Sequence, residues 1–177
     1  MTTYIALFRA INVAGKRPLP MPALCTLMER IGLWDVQSYI QSGNVVFRSE
    51  RPVSELESGI AEAVLREHGF RPQLLLLDAQ RFSVMVKNNP FDSANGKALH
   101  LFFLFAPADA ADLQRLDDYK SESERFQLIE QVFYLYAPDG IGRSRLIAQI
   151  EKALGVVVSG RNWNTVSRIQ AMLEQVS

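Results

Sequence analysis

The chain has 177 residues, 19 basic against 19 acidic side chains, two histidines and one cysteine, and 48% of it is hydrophobic. A chain of this length buries roughly 70% of the surface its unfolded form exposes and needs no disulfide or metal to hold a core; the lone Cys25 excludes an internal disulfide framework and a multi-cysteine metal site. Balanced charge argues against wholesale binding to nucleic acid or a membrane surface, and the longest apolar run, residues 98–108, falls far short of the ~20 residues of a spanning helix.

With no charged-then-apolar signal pattern at its start, the chain reads as cytoplasmic. Residues 4–13 are mostly apolar and predict a strand, followed by a stiff loop over 12–20 that holds Gly15, Pro18 and Pro20. Leu24, Leu27, Met28 and Ile31 fall at i, i+3, i+4 and i+7, one stripe of a helix that Gly32 closes. Residues 36–40 and 45–47 flank Gln41, Ser42, Gly43 and Asn44, a tight-turn composition that predicts a β-hairpin. Leu56, Ile60, Ala63 and Val64 mark a second helix ending at Gly69, and residues 70–77 a fourth strand.

A connecting segment follows, residues 79–97, with a short helix over 79–86 and a Pro/Gly-punctuated loop. The pattern then restarts: a buried-type strand over 99–105, a helix over 110–116, and an antiparallel pair over 126–129 and 132–136. Leu146, Ile147, Ile150 and Leu154 form a helical stripe ended by Gly155, and residues 156–158 a last strand. Both halves read β-α-β-β-α-β, so the expected fold is α+β, two tandem ferredoxin-like subdomains at residues 1–78 and 98–160 with a C-terminal helix in 161–177.

Five separated blocks stand out against this background. They are Arg9 through Lys16 followed by Met21 and Leu24; Tyr39 through Phe47; Asn89-Pro90-Phe91; Gly142 through Leu146; and Arg161 through Val166. Taken in this order they resemble the domain-of-unknown-function 1697 family over nearly the whole chain. The resemblance implies a duplicated ferredoxin-like fold and a family without an established activity, so it supplies no catalytic residues. The sequence departs from the family at Ala10 and Ala14, where glycine is common, and at Arg145, where lysine is usual. A methyl group at the first two positions narrows the approach of any ligand to the backbone.

Three segments carry candidate chemistry, each with a plainer reading beside it. Asn12 to Arg17 runs from a strand into a loop whose amides, with Lys16 and Arg17, suit a phosphate or carboxylate, or simply form a solvated loop. It lacks the P-loop spacing. Asp139 to Arg145 looks like a glycine turn entering a helix with Ser144 as N-cap, an anion pocket with Arg143 and Arg145 beside it or an ordinary helix start. Ser159 to Thr165, at the expected start of the last helix, groups Arg161, Asn162, Trp163 and Asn164, which either hold an oxyanion and a stacking ligand or anchor the helix on the core. Arg9, Gln41 and Asn44 complete the candidate ligand-binding set, although turn formation alone accounts for the hairpin tip.

Residues 1–20 and 140–170 are locally basic, whereas Asp109, Asp112, Asp117, Asp118, Glu122 and Glu124 crowd an acidic stretch that reads as solvated and lacks the spacing of a calcium loop. Neither His68 nor His100 reads as a ligand or base, Cys25 reads as packing, and no Gly-x-Ser-x-Gly elbow surrounds Ser42. No strand offers the aromatic platform of an RNA-recognition motif. The expectation is a binding protein for a small phosphate- or carboxylate-bearing ligand, a nucleotide among the candidates, with no metal or other cofactor. The alternatives are a homo-oligomeric or protein-interaction module, and an enzyme that acts on a phosphorylated substrate by electrostatics.

Overall fold

The structure is a computed structural model that describes residues 1–176. It divides into two compact units, Met1–Val84 together with the segment from Arg168 onward, and Met85–Ser167. The chain is mixed α+β, with two four-stranded antiparallel sheets and a C-terminal helix.

In the first unit, strand β1 (Thr2–Arg9) lies between β3 (Asn44–Ser49) and β4 (Gln73–Asp78), and β2 (Trp34–Tyr39) forms the far edge, giving the order β2-β3-β1-β4. β1 stops four residues earlier than its apolar run suggests because Ala10 and Asn12 adopt positive φ, which ends extended backbone. Helices α1 (Met21–Arg30) and α2 (Val53–His68) contribute Leu24, Leu27, Met28, Leu56, Ile60 and Val64 to a core with Tyr4, Ala6, Phe8, Val45 and Phe47 of the sheet. The expected i, i+3, i+4 stripes are the buried ones. Gly69 ends α2 in the left-handed conformation, φ 78°, and β4 starts only at Gln73. Alternate residues Ile5, Leu7, Val46 and Leu77, on the opposite side of the sheet, are buried as well. Asp78 caps helix α3 (Ala79–Lys87) by accepting the Arg81 N–H at 2.7 Å.

The second unit has the same connectivity. Its sheet order is β6-β7-β5-β8, built from β5 (Leu99–Leu104), β6 (Arg125–Ile129), β7 (Val132–Tyr136) and β8 (Val158–Asn162). All six β5 residues are buried, as a near-continuous apolar run requires. One face, carrying Phe102, Leu104, Phe133 and Leu135, packs with Leu116, Ile150, Ala153 and Leu154 of helices α4 (Leu113–Tyr119) and α5 (Ile150–Leu154). Helix α6 is Trp163–Val176.

Four local expectations are corrected here. α4 begins at Leu113 behind the Asp112 cap rather than at residue 110. The stripe from Leu146 resolves into a 3-10 turn, Ile147–Gln149, and the five-residue α5. The last strand is Val158–Asn162, not 156–158, so Arg161 and Asn162 are strand residues. Ser144 caps no α-helix; it ends the 3-10 turn Ile141–Arg143, because Gly140 and Gly142 favour turn over helix. Among the described residues, no helix is long and apolar enough to cross a membrane.

Candidate functional site

The first block is a closed loop. After β1 the backbone is left-handed at Ala10, Asn12, Ala14, Gly15 and Arg17. Asn12 holds this path: its Nδ2 donates to the carbonyls of Leu19 and Gln41, both at 2.9 Å, and its Oδ1 accepts the Leu19 N–H at 2.7 Å. The Asn12 and Lys16 amides donate to the carbonyls of Arg17 and Val13, so neither is offered outward. Lys16 and Arg17 are exposed at the tip. Arg9 donates to Gln73 Oε1 at 2.8 Å across the β1–β4 pair.

The hairpin tip is fastened to β1. Asn44 is buried, and its amide donates to the Tyr39 carbonyl at 2.8 Å and to Ser42 Oγ at 3.1 Å. Gly43 has φ 89°, its carbonyl accepts the Phe8 N–H at 2.8 Å, and a Cβ there would lie 2.6 Å from Phe8 Cβ. Only glycine fits so close an approach. Gln41 contributes its main-chain carbonyl to Asn12, and the residue is otherwise exposed.

In the second unit Arg161 sits on β8 opposite Leu101, with its residue only 7% exposed. Its Nη1 donates to Ser159 Oγ at 2.9 Å and to the Gly160 carbonyl at 2.8 Å. Burial lowers its pKa to about 10, so it remains a cation at neutral pH. Asn162 is the cap of α6, its Oδ1 accepting the Thr165 N–H at 2.9 Å. Trp163, half-buried, opens that helix, and the side chain of the exposed Asn164 lies against Gly96. His100 is buried opposite Asn162 and Leu135, and its Nδ1 has no hydrogen-bond partner among the described residues. Burial lowers its pKa, opposed by a backbone hydrogen bond at Ala98.

The Asp139–Arg145 segment borders a cavity of about 230 Å³ whose lining includes Ser121, Glu124, Asp139, Gly140, Arg143 and Ser144. Glu124 is buried, contrary to the solvated reading of the acidic stretch. Its Oε1 accepts the Ser121 N–H at 2.8 Å and its Oε2 the Ser144 hydroxyl at 2.5 Å, so it staples the turn before β6 to the end of the 3-10 turn. Asp139 accepts the Ser123 hydroxyl at 2.6 Å through Oδ2. Arg143 is exposed and makes no hydrogen bond or ion pair among the described residues. Arg145 instead places its guanidinium 5.5 Å from the centre of the Tyr119 ring. Ser121 and Glu124 lie outside the three candidate segments, whereas Asp139 opens the second of them. The Ser-x-x-Glu spacing of Ser121 and Glu124 is a signal that finds them, because that spacing lets the carboxylate reach back to the serine amide.

The family of unknown function DUF1697 matches residues 1–134. The chain belongs to this family. The matched span includes the Asn12 loop, the hairpin tip and Glu124, whereas Asp139 to Arg145 and the Arg161 block lie beyond it. No curated protein matches the chain. Among solved structures, the chain is similar to a conserved bacterial protein from Streptococcus pneumoniae, 23% identical, covering 97% of this chain and 98% of that one with a TM-score of 0.71. That likeness concerns the fold. Within the DUF1697 chain, most groups at candidate positions bond to its own architecture, whereas Arg143 lines a cavity with its guanidinium unbonded among the described residues.

Proposed function

We propose that this DUF1697 protein binds a small carboxylate-bearing ligand in the cavity beside Arg143, as an intracellular protein of two tandem ferredoxin-like repeats. The identical strand orders of the two sheets support the duplication. The observation that carries the binding reading is the exposed Arg143 guanidinium, which lines a cavity without bonding to either carboxylate of its wall. A guanidinium matches a carboxylate bidentately. Glu124 and Asp139 oppose one cation with two formal negative charges, which disfavours a phosphate dianion. At about 230 Å³ the cavity also falls below the ~300–1,000 Å³ of sites for drug-sized ligands, so a nucleotide is too large.

A second reading applies to the other motif blocks. The polar groups of Asn12, Asn44 and Asn162 bond to the chain's own backbone, which favours an architectural role in a protein-interaction module. Thermal unfolding with propionate, 4-methylpentanoate and inorganic phosphate separates these readings. A carboxylate at about a hundred times its Kd adds ~2.7 kcal/mol, a shift of several degrees for a chain this size. The binding reading expects that shift for a carboxylate, its loss in Arg143→Gln, and none for phosphate. No shift with any carboxylate, or an equal shift in the variant, overturns it.

A further inference from the structure

We infer that the ligand of the Arg143 cavity is a small zwitterion, an α-amino acid or a close aminocarboxylate, whose ammonium group is held by Asp139; this rests on the carboxylate reading of the same cavity. In the first unit Arg30 has closed on Glu67, Arg48 on Asp35 and Arg71 on Glu62. In the cavity, a cation and two carboxylates line one space without an ion pair between them. Opposite charges kept apart in this way leave both available to a third body that carries the complementary pair.

The two carboxylates differ in what they can still do. Glu124 is buried and both of its oxygens are occupied, by the Ser121 N–H and the Ser144 hydroxyl, so it is a wall. Asp139 is exposed and receives the Ser123 hydroxyl on Oδ2, while Oδ1 accepts nothing among the described residues. An ammonium carries three donors and no acceptor; Asp139 Oδ1 and the Ser121 hydroxyl supply oxygen to it, as the Arg143 fork supplies N–H groups to the carboxylate. With one formal negative charge in excess, the lining favours a ligand that brings a positive group over a plain anion.

Calorimetric titration with two matched sets tests this: alanine, propionate and ethylamine, then leucine, 4-methylpentanoate and 3-methylbutylamine. The expected result is that each amino acid binds at least ~10-fold more tightly than its deaminated acid, the scale of one charge-assisted hydrogen bond. In Asp139→Asn, which keeps an acceptor for Ser123, this gap closes while the plain acid binds as well or better; Asp139→Ser repeats the test should Asn misfold. Equal affinity for amino acid and deaminated acid, or a gap that survives both variants, overturns the zwitterion assignment and leaves the carboxylate site standing. If neither acids nor amino acids bind, or if Arg143→Gln binds them unchanged, the carboxylate site falls as well.

Discussion

Asn12 commits both ends of its amide to its own chain, joining the loop after β1 to Leu19 and to the hairpin at Gln41. Without that clamp the left-handed residues around it have no reason to keep their conformation, since alanine in the left-handed region costs roughly 1–2 kcal/mol. Asn12→Ala is therefore expected to destabilise the protein by about 2–3 kcal/mol, from three hydrogen bonds at ~1 kcal/mol each. Urea unfolding measures this, and a loss below ~0.5 kcal/mol would show that the loop is held by something else. Asparagine types in a loop were legible as functional candidates, but their partners were not. The same letters suit a ligand or a backbone, and Leu19 and Gln41 become neighbours of Asn12 only in the folded state. Glu124 shows the opposite failure, because an acid in an acidic stretch reads as solvated until Ser121 and Ser144 are seen to enclose it.

At the scale of elements, periodicity carried most of the information. α1 and α2 bury the stripes that their spacing marks, and the Gly69 and Gly155 stops are real left-handed caps. Ser159, Gly160, Arg161 and Asn162 have the composition of a loop, yet they belong to β8. They form a strand since β5 offers an unpaired edge and Gly160 lets Phe102 pack against the backbone, where a Cβ would lie 2.6 Å from the ring. The central strand of this sheet also buries His100, with Phe102 stacked beside it. Burial depresses its folded pKa below 6.5, so the unfolded chain takes up this proton more readily than the folded one. Its contribution to stability is complete above the unfolded value of 6.5 and is lost as pH falls below it through the lower folded pKa. The urea midpoint is expected to drop between pH 7.5 and pH 5, and to drop less in His100→Phe. Equal slopes for wild type and variant would place the acid sensitivity elsewhere.

For the whole molecule, the two sheets share one connectivity, and the same β-α-β-β-α-β order could be read in advance from alternating apolar runs and helical stripes. Zero net charge concealed an uneven distribution, in which most candidate cations are occupied. Arg9 is held by Gln73, Arg145 lies over Tyr119, and Arg161 is buried with Ser159. Arg161, bonded to Ser159 and Gly160, belongs to the architecture, and Arg143 is the proposed binding cation. Side-chain ¹H–¹⁵N NMR of the arginine Nε groups during titration with leucine distinguishes the two roles. The Arg143 resonance is expected to shift saturably while that of Arg161 stays fixed; movement of Arg161 with Arg143 unchanged would overturn this assignment of roles.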